Sequence, residues 1–243
     1  MNIILSTLCL IAPIAITGIV ALLLKTKKIK LDFILAFSAA YLFTLSITHL
    51  LPEAFQFGNT KQVGLFIVLG FCLQLAIDTF STGIEHGHVH LHSHECNKQL
   101  PLGIIIGLLL HSFLEGLPIY NGNIKGDAAI NYQLIFGLAL HNIPITIAFV
   151  ALLKEHKSTE FKKWLLLFLF SVMTPIGYLT SFGLQTIGVN NFEQFNQIAF
   201  ALVIGIFLHL STAILFETRE HHKYNKTKIV MMISGIVLAY LVS

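Results

Sequence analysis

The amino-acid sequence predicts an all-α, polytopic membrane protein with about eight transmembrane helices, and three observations lead there. Of its 243 residues, 55% are hydrophobic and only 11% charged, against about a quarter charged in soluble domains. The mean hydropathy is +0.79. The apolar residues are gathered into runs of roughly twenty, the length of helix that crosses a hydrocarbon layer.

Taken in order, the predicted spans lie at about 3–24, 31–51, 63–84, 101–119, 130–153, 163–185, 195–216 and 228–243. The first could be mistaken for a signal peptide. It lacks a charged leading region, however, and Lys25, Lys27, Lys28 and Lys30 follow it as a stop-transfer flank. It is therefore expected to be retained. Span two ends in His49-Leu-Leu-Pro52-Glu53, span three carries Asp78, and span seven carries His209. Pro144 is expected to kink span five, while Pro118 and Pro175 are expected to interrupt spans four and six. Residues 1–243 read as a single transmembrane domain with a His-rich loop at about 85–100. Cys9, Cys72 and Cys96 have no paired spacing, so neither a disulfide framework nor a thiolate cluster is indicated. With no basic soluble domain, a nucleic-acid partner is not expected.

The charges orient the spans. Of fifteen basic residues, all but Lys61 and Lys125 fall in the loops after spans one, three, five and seven. The positive-inside rule places those loops in the cytoplasm and both termini outside it.

Span four has at its centre Gly107-Leu-Leu-Leu-His111-Ser112-Phe-Leu-Glu115-Gly116, and span five repeats the theme as Gly137-Leu-Ala-Leu-His141-Asn142-Ile-Pro144. His111 and Glu115 stand four residues apart, on one face of a helix. His111 follows Pro101 by ten residues and His141 follows Ile130 by eleven. At 1.5 Å per residue these offsets put both imidazoles about 15 Å deep, near the midplane of a core about 30 Å thick. Ionisable groups at that depth are costly and tend to face a cavity, a partner or an ion. His111, Ser112, Glu115, His141 and Asn142 together offer nitrogen and oxygen donors suited to zinc and similar divalent metals, without thiolates that would hold the ion too tightly to release. The plainer alternative is a buried structural hydrogen bond between His111 and Glu115.

Further ligand types flank this pair of spans. Glu85, His86, His88, His90, His92, His94 and Glu95 form an alternating tract suited to flexible metal capture in the cytoplasm. His49 and Glu53 could form a ligand pair at the outer mouth, and Asp78 or His209 could line the inward path. His49 and Glu53 could equally be an interfacial pair wetted by solvent, and Asp78 and His209 could equally be hydrogen-bonded packing residues.

On these residues the chain resembles the ZIP (Zrt/Irt-like) family of divalent metal-ion transporters. The likeness is carried by His49-Leu-Leu-Pro52-Glu53, the His-rich loop, His111-Ser112-Phe-Leu-Glu115-Gly116, His141-Asn142-Ile-Pro144 and Thr174-Pro175-Ile-Gly177. It implies import of a divalent metal toward the cytoplasm, zinc being commonest, with the ion as transported substrate rather than catalytic cofactor. His111, Ser112 and Glu115 match the family's ligands in span four, and His141 and Asn142 those in span five. The sequence departs from the family at Ile145 and Thr174, where glutamate is often found, and at Ser112, where asparagine is frequent. One dominant site with Glu115 as its only carboxylate is expected. The resemblance also implies a homodimer; with both termini outside and no targeting signal in the sequence, a bacterial cytoplasmic membrane is expected, and no enzymatic activity is expected. The rivals are an exporter of the cation-diffusion type, which would be expected to have fewer spans and a soluble C-terminal domain, and a membrane-embedded metalloenzyme. No His-Glu-x-x-His motif supports the latter.

Overall fold

The structure is a computed structural model, and it describes residues 3–23, 31–57, 59–81, 101–120, 132–156, 158–216 and 226–242. The histidine tract from Glu85 to Glu95 lies outside the described residues. Among the described residues, all eight apolar runs are helical. The elements are α1 (Ile3–Leu23), α2 (Leu31–Leu45), a π-helical turn (Ser46–Leu50), α3 (Leu51–Phe57), α4 (Thr60–Ser81), α5 (Leu102–Gly116), a 3-10 turn (Leu117–Ile119), α6 (Tyr132–Glu155), α7 (Glu160–Thr186), α8 (Phe192–Phe216) and α9 (Lys226–Val242). Seven helical runs among the described residues are long and apolar enough to cross a membrane, the run from Asp32 to Gln56 counting as one. The eighth expected span corresponds to α9, at 17 residues the shortest of the spans.

Local chemistry sets several boundaries. Thr159 caps α7 by accepting the backbone N–H of Lys162, a strong start signal. Beyond the end of α7, Gly188 adopts φ +67° and Asn191 φ 64°, left-handed conformations that these residue types tolerate best. Pro118 behaves as expected, with α5 giving way to the 3-10 turn there. Pro175 does not interrupt its span, and α6 likewise runs unbroken through Pro144, where a kink rather than a break is expected. Both prolines are buried, so neighbouring helices shield the freed backbone groups, as is usual in membrane helices. Span two also differs from expectation. It does not stop near residue 51 but continues through the π turn to Phe57, which puts Glu53 inside the helical run. Pro52 lacks the N–H an α-helix requires there, and the wider turn just before it absorbs the mismatch, with Leu51 N–H bonding the carbonyl of Ser46.

The helices sort into two groups. One group comprises α1, α5, α6 and α7, and the other α2, α4, α8 and α9. Within each group, glycines bring backbones together. A Cβ at Gly116 would strike the carbonyl of Thr174, and one at Gly177 that of Phe113, which locks α5 to α7. Gly70 and Gly205 meet Leu202 and Ile67 in the same way between α4 and α8, and Gly235 meets Phe37 between α9 and α2. Such small-residue contacts supply the close packing that lipid cannot drive by hydrophobicity. Between the groups the contact is made by side chains. The largest apolar cluster, including Tyr41, Leu42, Leu134, Leu138 and Phe207, straddles the seam. The other two clusters each belong to one group.

A valine at Gly205 should therefore cost more than one at Gly64, where a Cβ meets nothing. The expected result is loss of monodisperse protein for Gly205→Val and near-normal yield for Gly64→Val, read by size-exclusion of detergent extracts.

Candidate metal centre

The middle of α5 and the middle of α6 lie side by side, and their polar residues converge. His111, Ser112, Glu115 and His141 are fully buried, and Asn142 is 2% exposed. His111 Nε2 lies 3.0 Å from Glu115 Oε1, and His141 Nε2 lies 3.9 Å from the same oxygen. The two imidazole rings stand 6.3 Å apart, inclined at 69°. One ligand atom from each of His111, Glu115 and His141 lies within 4.8 Å of the others, forming a group able to hold a metal ion.

This arrangement suits a cation better than it suits the residues' own hydrogen bonds. An ion bound tetrahedrally at about 2.0–2.1 Å needs ligand atoms about 3.3 Å apart, within the range the three donors span. Ser112 Oγ, Asn142 Oδ1 and Glu115 Oε2 are buried without a hydrogen-bond partner among the described residues. An orphaned buried oxygen costs about 1–3 kcal/mol, and an uncompensated charge at the bilayer centre about 2.5–3.5 kcal/mol on insertion scales. A divalent cation would compensate all of these at once. The expectation of a plain structural His111–Glu115 hydrogen bond fits the orphaned oxygens less well.

The flanks of the centre differ from one side to the other. Ile145, one turn past His141, is fully buried in the apolar cluster of the first helix group. Thr174, fully buried on α7, has a hydroxyl with no hydrogen-bond partner among the described residues. Its carbonyl abuts Gly116, so sequence reasoning that counted Thr174 only as a lost carboxylate overlooked an oxygen near the site.

The inward-path candidates, taken singly from the sequence, meet in space. His209 Nδ1 lies 3.3 Å from Asp78 Oδ2. Asp78 Oδ1 in turn accepts a hydrogen bond from Gln74 Nε2 at 2.9 Å, and Gln74 Oε1 lies 3.0 Å from His111 Nδ1. Gln74 was missed by sequence reasoning. The signal was present, since Gln74 and Asp78 are polar residues four apart in an apolar span. His49 sits in the π turn and Glu53 just beyond it, both half-buried, and neither belongs to the buried ligand group.

Comparison with known proteins adds to this geometry. The sequence model of a family described as "ZIP Zinc transporter" matches residues 101–243, which hold both halves of the centre. The chain is also similar to Protein zntD of Dictyostelium discoideum, 26% identical over 153 residues. That match covers 59% of this chain and spans only 22% of the relative's length.

Proposed function

Starting from the premise that the chain belongs to the ZIP zinc transporter family, we propose that it is a carrier that brings divalent metal ions, zinc foremost, into the cytoplasm. The observation that carries this reading is the His111–Glu115–His141 group, buried between apolar helices able to span a membrane. In the proposed cycle a partly dehydrated Zn²⁺ arrives from outside past His49 and Glu53. His111, His141 and Glu115 then take it, and Asn142 and Ser112 complete the shell or hold water. Both imidazoles and the carboxylate stand on α5 and α6, in one helix group. A shift of that group along the side-chain seam would open the centre toward Asp78 and His209 on the other. The histidine tract at 86–94 would receive the released ion. Nothing in this cycle breaks or forms a covalent bond, so the chain acts as a carrier rather than an enzyme.

Zinc movement into proteoliposomes, wild type against His111→Ala, tests the reading. Saturable flux down the gradient, reduced at least tenfold in the variant, is expected, since even residues that merely support a ligand are worth about 10–100-fold. Zinc bound tightly without flux in the wild type would instead indicate a sensor or an enzyme. The homodimer is tested by the molar mass of the detergent-solubilised protein.

Orientation has its own probe in Cys96. In a Cys9→Ser, Cys72→Ser background, a membrane-impermeant maleimide should label Cys96 only after the cells are permeabilised. Labelling of intact cells would overturn the cytoplasmic placement of the loop, and with it the inward direction.

A further inference from the structure

Gln74 is fully buried in α4, and its two hydrogen bonds fix more than its own position. An ionised carboxylate only accepts hydrogen bonds. Asp78, paired with His209, must therefore face the amide nitrogen of Gln74, which leaves Oε1 for His111. An amide oxygen also only accepts, so His111 Nδ1 must carry the proton. In the neutral ring, Nε2 is then the nitrogen that carries the lone pair, and it faces Glu115 and His141. The tautomer needed for ligation is thus set from outside the ligand group. It is set, moreover, from across the seam, because α4 belongs to one helix group and α5 to the other.

We propose that Gln74 is a positioning residue for the metal centre, holding His111 in its Nε2-ligating tautomer only while the two helix groups stand in this register. Metal-binding histidines characteristically donate their other ring N–H to an oxygen acceptor, which orients the ring and raises its basicity. Here that acceptor stands on the helix group against which the ligands would slide. A displacement longer than a hydrogen bond tolerates removes the acceptor from His111, so the same movement that exposes the ion weakens one of its ligands. Affinity is thereby tied to bundle position. The functional consequence rests on the transport reading, whereas the tautomer does not.

The test uses the full-length protein in detergent, labelled with ¹⁵N-histidine, with ¹¹³Cd²⁺ as the spectroscopic probe and Zn²⁺ for affinity. His111 is assigned by loss of its signals in His111→Gln. In the wild type, cadmium should couple to His111 Nε2 while Nδ1 keeps its proton. Gln74→Met should raise the zinc Kd by about 10–100-fold and lose or split the Nδ1–H signal between tautomers. In its protonated form Gln74→Glu donates its O–H to Asp78 in place of the amide and keeps a carbonyl oxygen for the His111 proton, and it should restore both. In proteoliposomes, Gln74→Met should raise the half-saturating zinc concentration while leaving maximal flux within about twofold, a split that general misfolding would not produce.

Cadmium coupled to Nδ1 in the wild type would overturn the proposal, as would wild-type affinity in Gln74→Met. If the methionine variant fails to fold, the wild-type coupling pattern and the glutamate variant still decide. A wild type that carries no zinc but keeps the Nε2 pattern and the affinity loss would remove the transport reading and leave the positioning role standing.

Discussion

Glu115→Gln should reduce zinc uptake by about 100-fold or more, beyond the upper end of what losing a supporting residue costs. Glutamine keeps the shape and a side-chain oxygen but removes the only carboxylate of the buried ligand group among the described residues. The ion would then meet two neutral imidazoles and neutral oxygens in a medium that screens poorly. A single charge pair at about 4 Å contributes roughly 4 kcal/mol at an effective dielectric of 20. Because Glu115 Oε1 also sits 3.0 Å and 3.9 Å from the two imidazoles, the neutral variant should fold at least as well as the wild type without zinc. The measurement is isothermal titration of purified protein alongside uptake, with thermal unfolding of the zinc-free form as control. Unchanged affinity in a well-folded variant would remove Glu115 from the centre.

Gly177→Val should be nearly as damaging, by a different route. Its side chain would enter the backbone of α5 at Phe113, between His111 and Glu115 in the sequence, and press on Gly116 as well. Backbone has no rotamer with which to yield, so α5 must move off α7 or the pair must fail to form. Expression of monodisperse protein should drop severalfold, and the remaining protein should bind zinc weakly, because the His111–Glu115 face is carried on the displaced helix. Gly183→Val, further along α7 where a Cβ meets nothing, is the control. Equal yield and affinity for the two variants would show that the close approach of α5 and α7 is dispensable.

Much of this was legible in the chain because a bilayer simplifies the problem. Span positions followed from apolar run length, and the meeting of His111 with His141 followed from equal depth. Proline was the weaker guide. Pro118 ended its helix, whereas Pro175 did not, although both are buried, so the outcome depends on tertiary packing rather than on the proline itself. The π turn before Pro52 was invisible for the same reason. At the site, the sequence offered Asp78 and His209 as separate candidates, since spacing along one helix says nothing of a partner on another. Gln74 escaped because a lone glutamine carries no charge to draw attention. Its significance lies in Asp78 and His111, the neighbours to which packing delivers it.

The apolar packing around Ile145 has a kinetic consequence. Under the proposed route, Zn²⁺ passes from a station with one carboxylate, Glu115, to a station with one carboxylate, Asp78. At each stop one of its two charges remains uncompensated by the ligands. A second carboxylate near the first station would deepen that well by roughly 4 kcal/mol, which lengthens the dwell time about a thousandfold, since each 1.4 kcal/mol is a factor of ten. Matched, shallow wells allow an ion to leave as readily as it arrives. On that route Ile145, fully buried one turn past His141, would trade affinity for turnover.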